Sequence, residues 1–245
     1  MSASNESNGD AKEDSTIFPD ALAHNLGLAA IILMAVAAIF IAWTGYQSAK
    51  WSGVQTINLS EAGAARTEST VFSTLAGQQA QTDIGNFTNW LNALHADITA
   101  GDVADPGSAA PYVPTSDTLS GFLFERLRED FRPALDAWLS ADPLNDPAAP
   151  ATPFDIPEYD LEALRMADDL TVAADESARL ARVAREHSDD YVILTVLAAM
   201  AIFFAGASTQ LINPRPRVLA LGVGVLIFAF AFYLVLSLPI EFSEI

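Results

Sequence analysis

Three stretches of the chain carry no Asp, Glu, Lys or Arg: Asn25 to Ala49, Tyr191 to Leu211 and Val218 to Leu238. Each supplies about twenty apolar-dominated residues, enough for a helix rising 1.5 Å per residue to cross a ~30 Å hydrocarbon layer. The pattern predicts transmembrane helices over 25–45, 191–211 and 218–238. Between the last two lies a short segment, 212–217, in which Pro214 and Pro216 predict a tight loop, so these spans form a helical hairpin. After the first span no proline occurs from Tyr46 to Asp97, and the helix is expected to continue outward as a rod. Near its end Ile84, Phe87, Leu91, Leu94 and Ile98 recur at 3, 4, 3, 4, the seam of a packed helix.

Gly101 to Pro114, with two glycines and three prolines, reads as a loop. Ser116 is placed to cap a helix whose stripe is Leu119, Phe122, Leu123 and Leu127, continuing to Phe131, and Pro133 suits the first turn of a short helix carrying Leu135, Trp138 and Leu139. Five prolines between Pro143 and Pro157 predict an extended strap. From about Glu158 a second long rod leads into the second span. Tyr159, Ala163, Met166, Leu170, Ala173, Ser177, Leu180, Ala184, His187 and Tyr191 alternate by 4 and 3 along it. Its other face has Asp175 with Arg179, and Arg185 with Asp189, at i,i+4. The fold class expected is all-α: three transmembrane helices with an elongated helical-bundle extramembrane domain, residues 46–190, between spans 1 and 2. Residues 1–24 are expected to form an acidic tail, disordered over 1–16, and 239–245 a short C-terminal tail. Phe87, Trp90, Phe122, Phe131 and Trp138 are predicted to meet in a distal aromatic cap, either structural or partner-binding.

Composition narrows the function. Of 245 residues, 51% are hydrophobic and 18% charged, which fits lipid as part of the solvent. Thirty-one acids against 12 bases give a formal charge of −19, and Lys12 and Lys50 are the only lysines, so the basic footprint of a nucleic-acid binder is missing. The acidic, lysine-poor balance is similar to that of halophile proteins. Zero cysteines exclude disulfides, thiolate metal sites and a cysteine nucleophile. Gly222 and Gly224 form a GxG inside a span and read as helix packing rather than a nucleotide loop, and no GxSxG elbow occurs. His24, His95 and His187 show no metal spacing, and Asp168–Asp169 and Asp189–Asp190 read as solvated faces. Sequons stand at Asn5, Asn58 and Asn86. Gln78, Gln81 and Asp83 are polar residues on a rod expected to pack, and fixing helix register is the role that fits them best. The small pairs Ala38/Ala42, Ala201/Ala205 and Ala220/Gly224 have the spacing of close helix contacts, which Ala-rich spans also produce by chance.

The run Trp51-Ser52-Gly53-Val54-Gln55, the spacing of Gln81, Asp83, Phe87, Trp90 and Leu91, and Phe131-Arg132-Pro133-Ala134 leading to Trp138 and Leu139 carry a resemblance, as does the strap with Pro150, Pro153, Phe154, Pro157 and Tyr159. Together they resemble an uncharacterised family of prokaryotic three-span integral membrane proteins with a helical extramembrane insert. The resemblance implies no activity, no cofactor and no catalytic residue. The residues themselves favour a non-enzymatic, membrane-anchored interaction or sensing module. Its partners are the lipid bilayer and either a distinct protein or a second copy, met through transmembrane and stalk helices. The alternative is a subunit of a channel or transport complex; the absence of charge inside the spans weighs against autonomous transport.

Arg215 and Arg217 in the short loop predict that this loop is cytoplasmic, with residues 46–190 on the extracytoplasmic side of the cell membrane. Lys50, Arg179, Arg182 and Arg185 flank the other side, at the edges of a long segment where the bias is weak. A membrane-impermeant thiol reagent on intact cells is expected to label Ser108→Cys and spare Ser4→Cys; the reverse pattern inverts the orientation.

Overall fold

A computed structural model describes residues 20–104 and 112–242. The expected disorder of residues 1–16, the sequon at Asn5 and part of the 101–114 loop lie outside them. All regular structure among the described residues is helical: α1 (Asp20–Ala100), α2 (Leu119–Phe124), a 3-10 turn (Glu129–Phe131), α3 (Arg132–Ser140), α4 (Glu162–Gln210) and α5 (Pro214–Val235). Three helices, α1, α4 and α5, are long and apolar enough to cross a membrane. The chain forms two compact units: a terminal unit, Met1–Asn58 with Arg179–Ile245, and a central unit, Leu59–Ala178.

In the terminal unit the α4–α5 connection is shorter than the predicted 212–217 loop, because both prolines lie in the first turn of α5. Proline is accepted there, since first-turn N–H groups have no intrahelical acceptor. Phe40 packs with Tyr191, Leu194, Ala198 and Ala231, and its ring meets Phe228 edge-on at 5.4 Å. A Cβ on Gly224 would come within 3.1 Å of the Ala201 carbonyl oxygen, and Ala201 and Ala205 are fully buried. Here the small residues do set helix approach. Ala38 and Ala42 are exposed and take no such part.

A polar layer crosses the same unit. Thr44 and Thr195 share a hydrogen bond of 2.9 Å, and Ser188 bonds Ser48 at 3.1 Å and Ser52 at 2.9 Å. The segment after α5 is pinned to this layer. The Tyr191 hydroxyl and the Trp51 indole both donate to the Pro239 carbonyl, at 3.0 and 3.3 Å, while the Gln47 side chain accepts from the Glu241 N–H at 3.0 Å.

In the central unit α1 buries two rows at seven-residue spacing. One is Ala62, Ala76, Asp83 and Trp90, with Ser69 half-buried among them; the other, partly buried, runs through Phe72 and Asn86 to Ala93. This is the 3.5-residue repeat of coiled-coil packing. Facing residues on α4 are mostly alanine, with Ala163, Ala167, Ala174 and Ala178 buried, and Ser69 Oγ donates to the Ala167 carbonyl at 2.8 Å. The buried face of α4 therefore departs from the predicted seam: Met166 is exposed in this unit, as is Leu180 in the terminal unit. Small side chains let the backbones approach and push bulky ones outward. On α1, likewise, Ile84 is 43% exposed while its neighbour Asp83 is 1% exposed.

Past Leu94, α1 ends at Gly101, whose φ of +81° closes the helix in the left-handed conformation, with its N–H bonded to the Ile98 carbonyl at 3.0 Å. The cap of α2 is Thr118, not Ser116: its Oγ1 accepts the Gly121 N–H at 3.1 Å. The Asp97 carboxylate accepts the Ser120 N–H at 2.8 Å, fastening α2 to the end of α1. The expected helix to Phe131 breaks after Phe124, and α3 restarts with Pro133 in its first turn. The strap from Pro143 to Pro157 has no helix, as the prolines require.

Candidate functional site

Phe87, Trp90, Phe131 and Trp138 form one buried cluster with Leu94, Leu127, Leu135 and Leu139. Phe87 is its hub. Its ring lies edge-on to Trp138 at 5.2 Å and to Phe154 of the strap at 5.6 Å. Phe154 stacks on Phe131 at 5.3 Å, and the Trp138 indole donates to the Pro150 carbonyl at 2.8 Å, so the strap is clamped over the cluster. Burying each large aromatic stabilises a core by about 3–5 kcal/mol relative to alanine. Tyr112, Phe124 and Tyr159, which the predicted cap did not include, extend the set through rings 5.0 to 5.8 Å from their neighbours.

Phe122 is the departure from the predicted cap. It is 45% exposed and absent from the cluster, because α2 is only six residues long and turns Leu123 and Phe124 inward instead. The Arg126 guanidinium sits 3.4 Å from the Phe122 ring centre, a cation–π contact, and Leu119, one turn earlier on the same face, is 58% exposed. Four of the five cap residues are buried together; the fifth, with Arg126 and Leu119, lies on the surface.

Beneath the aromatics lies the one fully buried acid among the described residues, Asp83. Its Oδ2 accepts from Arg128 at 2.8 Å and from the Tyr159 hydroxyl at 3.2 Å, and its Oδ1 accepts from Arg128 Nε at 3.3 Å. Arg128 also donates to Asp130 at 2.7 Å. The bond to Asp83 and the carboxylate charge raise the Arg128 pKa further, against the opposing effect of burial. Burial pushes the Tyr159 hydroxyl up to about 12, with the adjacent Asp83 charge adding to it. Gln78 and Gln81, read beside Asp83 as interior polar residues, are exposed.

A cleft of about 380 Å³ opens next to this clamp, lined by Phe72, Gln79, Arg128, Asp130, Glu158, Asp160 and Arg165 among others. Both arginines in it are already paired, Arg165 with Asp160 at 3.1 Å, so an anionic ligand would compete with carboxylates for them. Among the described residues no group of three or more His, Asp or Glu is placed to hold a metal ion. His24 and His95 are exposed, and the His187 ring lies 4.7 Å from Trp51. Asp168 and Asp169 face solvent, while Asp175 meets Arg66 of α1 at 3.4 Å. Asn58 and Asn86 both sit within α1. No protein-family model, curated protein or solved structure matches this chain, so its functional reading rests on its own residues.

Two measurements probe the clamp. Asp83→Ala releases Arg128 to Asp130 and solvent, whereas Arg128→Ala strands a carboxylate that is 1% exposed. Urea melts at pH 7 are therefore expected to show a larger loss for Arg128→Ala, about 3–5 kcal/mol, than for Asp83→Ala. Tyr159 is pinned protonated in the folded chain, so its contribution is complete below the ordinary tyrosine value near 10 and is lost as pH rises from there through about 12. Between pH 9 and 11.5 the wild type is expected to lose more stability than Tyr159→Phe; parallel losses would show that Tyr159 is not the group titrating.

Proposed function

We propose that the chain is a non-enzymatic, membrane-anchored helical module that recruits or senses a protein partner through its central unit. The observation that carries this reading is the exposed Phe122–Arg126–Leu119 patch, held on a unit whose other large aromatics are committed to its core. An arginine stacked on an exposed phenylalanine and also donating to the Phe122 carbonyl at 3.0 Å is preorganised, and aromatic and arginine side chains of this kind dominate protein interfaces. The clamp beneath supports the reading in a second way. Asp83, Arg128 and Tyr159 spend their polar atoms on one another, an arrangement that suits a platform better than a reaction centre. The three apolar helices, on this reading, hold the platform at the membrane.

Purification of the full chain from native membranes in mild detergent is expected to bring down a defined partner at fixed stoichiometry. Phe122→Ala is expected to lower its recovery at least tenfold, and Arg126→Ala to a smaller extent, with helicity unchanged by circular dichroism. Undiminished recovery with both variants, or a lone chain that turns over a substrate, overturns the reading.

A further inference from the structure

We propose that two copies of this chain pair through the outward face of α1 in the central unit, a surface separate from the Phe122 patch. From Ser69 to Leu94 the only ionisable residue is Asp83, which is buried, so this length of α1 shows solvent no charge at all. That is anomalous in a chain of net charge −19. Opposite the buried rows, the heptad spacing places Ser60, Thr67, Thr74, Gln81 and Thr88 along the centre of the outward face.

Two features of this face have no explanation within one copy. Gly63, Gly77 and Gly85 stand in the helix interior, and a Cβ at any of them would meet nothing within 4 Å. No neighbour in the chain requires glycine there, although each costs the helix about 0.8–1 kcal/mol relative to alanine. Glycine in such a place suits the close approach of a second backbone. The exposed threonines, moreover, are turned inward: Thr67, Thr70, Thr74, Thr82 and Thr88 each donate their hydroxyl to the carbonyl four residues earlier, at 2.8 to 2.9 Å. With the hydroxyl satisfied inside the helix, the outward part of each is chiefly its methyl group. A shallow groove of about 360 Å³ lies among Thr70, Val71, Thr74, Leu75 and Gln78.

Charge identifies the occupant. In a two-fold dimer, residues at the axis meet their own copies, so any charge there faces the same charge. The exposed face of α4 in this unit, with Asp168 and Asp169, would place acid against acid. Between Ser69 and Leu94 the face of α1 can sit on the axis at no such cost, and in a strongly acidic chain an uncharged face of the central unit is one that suits a second copy. From Ser69 to Leu94 the uncharged face is roughly 38 Å long at 1.5 Å per residue. This is a narrow interface, and confinement of both copies to one bilayer, which rests on the membrane-anchored reading, supplies the effective concentration it needs.

The test uses the full chain in lipid nanodiscs or mild detergent. Because the native chain has no cysteine, any disulfide in a single-cysteine variant joins two copies. Thr74→Cys is expected to form a covalent dimer on mild oxidation at least tenfold faster than Asp168→Cys on the acidic face of α4. Gly77→Glu, at a position with open space around it, is expected to keep its helicity and to lower the dimer fraction at least tenfold by light scattering. Equal cross-linking rates, or a dimer fraction unmoved by Gly77→Glu, overturns the proposal. Loss of the dimer proposal with Phe122→Ala still defective in partner recovery leaves the recruitment reading standing.

Discussion

The central unit turns on one buried carboxylate. Asp83 lies on α1, Arg128 lies between α2 and α3, and Tyr159 closes the strap, so a single side chain ties three segments 45 and 76 residues apart in sequence. A carboxylate removed from water is tolerable only when its oxygens are filled, and here a guanidinium fork and a phenol fill them. The aromatic cluster has little directional preference of its own. The clamp supplies it, holding Phe131 near Arg128 and Phe154 near Tyr159 so that the two rings stack on each other and both meet Phe87 edge-on.

The three apolar helices were legible because an uncharged run of spanning length has few other physical interpretations. Much of the cap was legible for a related reason: Phe87, Trp90, Phe131 and Trp138 are too large and apolar to be left in water. The α4 seam was harder, since a search for bulky residues at 3-and-4 spacing favours Met166 and Leu180, whereas the interface is made by alanines that such a search scores weakly. Asp83 was legible only as an interior polar residue to be explained. Its partner Arg128 gave no local signal, being 45 residues away and in irregular chain. Phe122 was misplaced because the stripe through Leu127 presumed a helix that stops at Phe124, and no proline or glycine after Phe124 marks that stop.

The two units use the same seven-residue spacing with different chemistry. In the terminal unit the α1 rows carry Ala30, Ala37 and Thr44, and hydroxyls bridge neighbouring helices as Thr44 does to Thr195. Hydrogen bonds of this type can be made where water is scarce because both partners belong to the protein. In the central unit, alanine packing dominates and the seam ends in aromatics. One helical repeat thus accepts either polar bridging or dense apolar contact, according to the side chains placed on it.

The pairing of α1 with α4 also sets an order of assembly. Ser69 finds its acceptor at Ala167, Ser48 finds Ser188 and Thr44 finds Thr195, contacts separated by 98, 140 and 151 residues. During synthesis at about 5–20 residues per second, α1 therefore waits roughly 5–30 s for the strand of chain that covers its seam. Loop closure over such distances is slow, and a long helix with an uncovered alanine row is a surface on which premature association can begin. The absence of exposed charge on α1 between Ser69 and Leu94 removes the usual electrostatic protection over the same interval, so this length of the nascent helix is open to contact on both faces until α4 arrives.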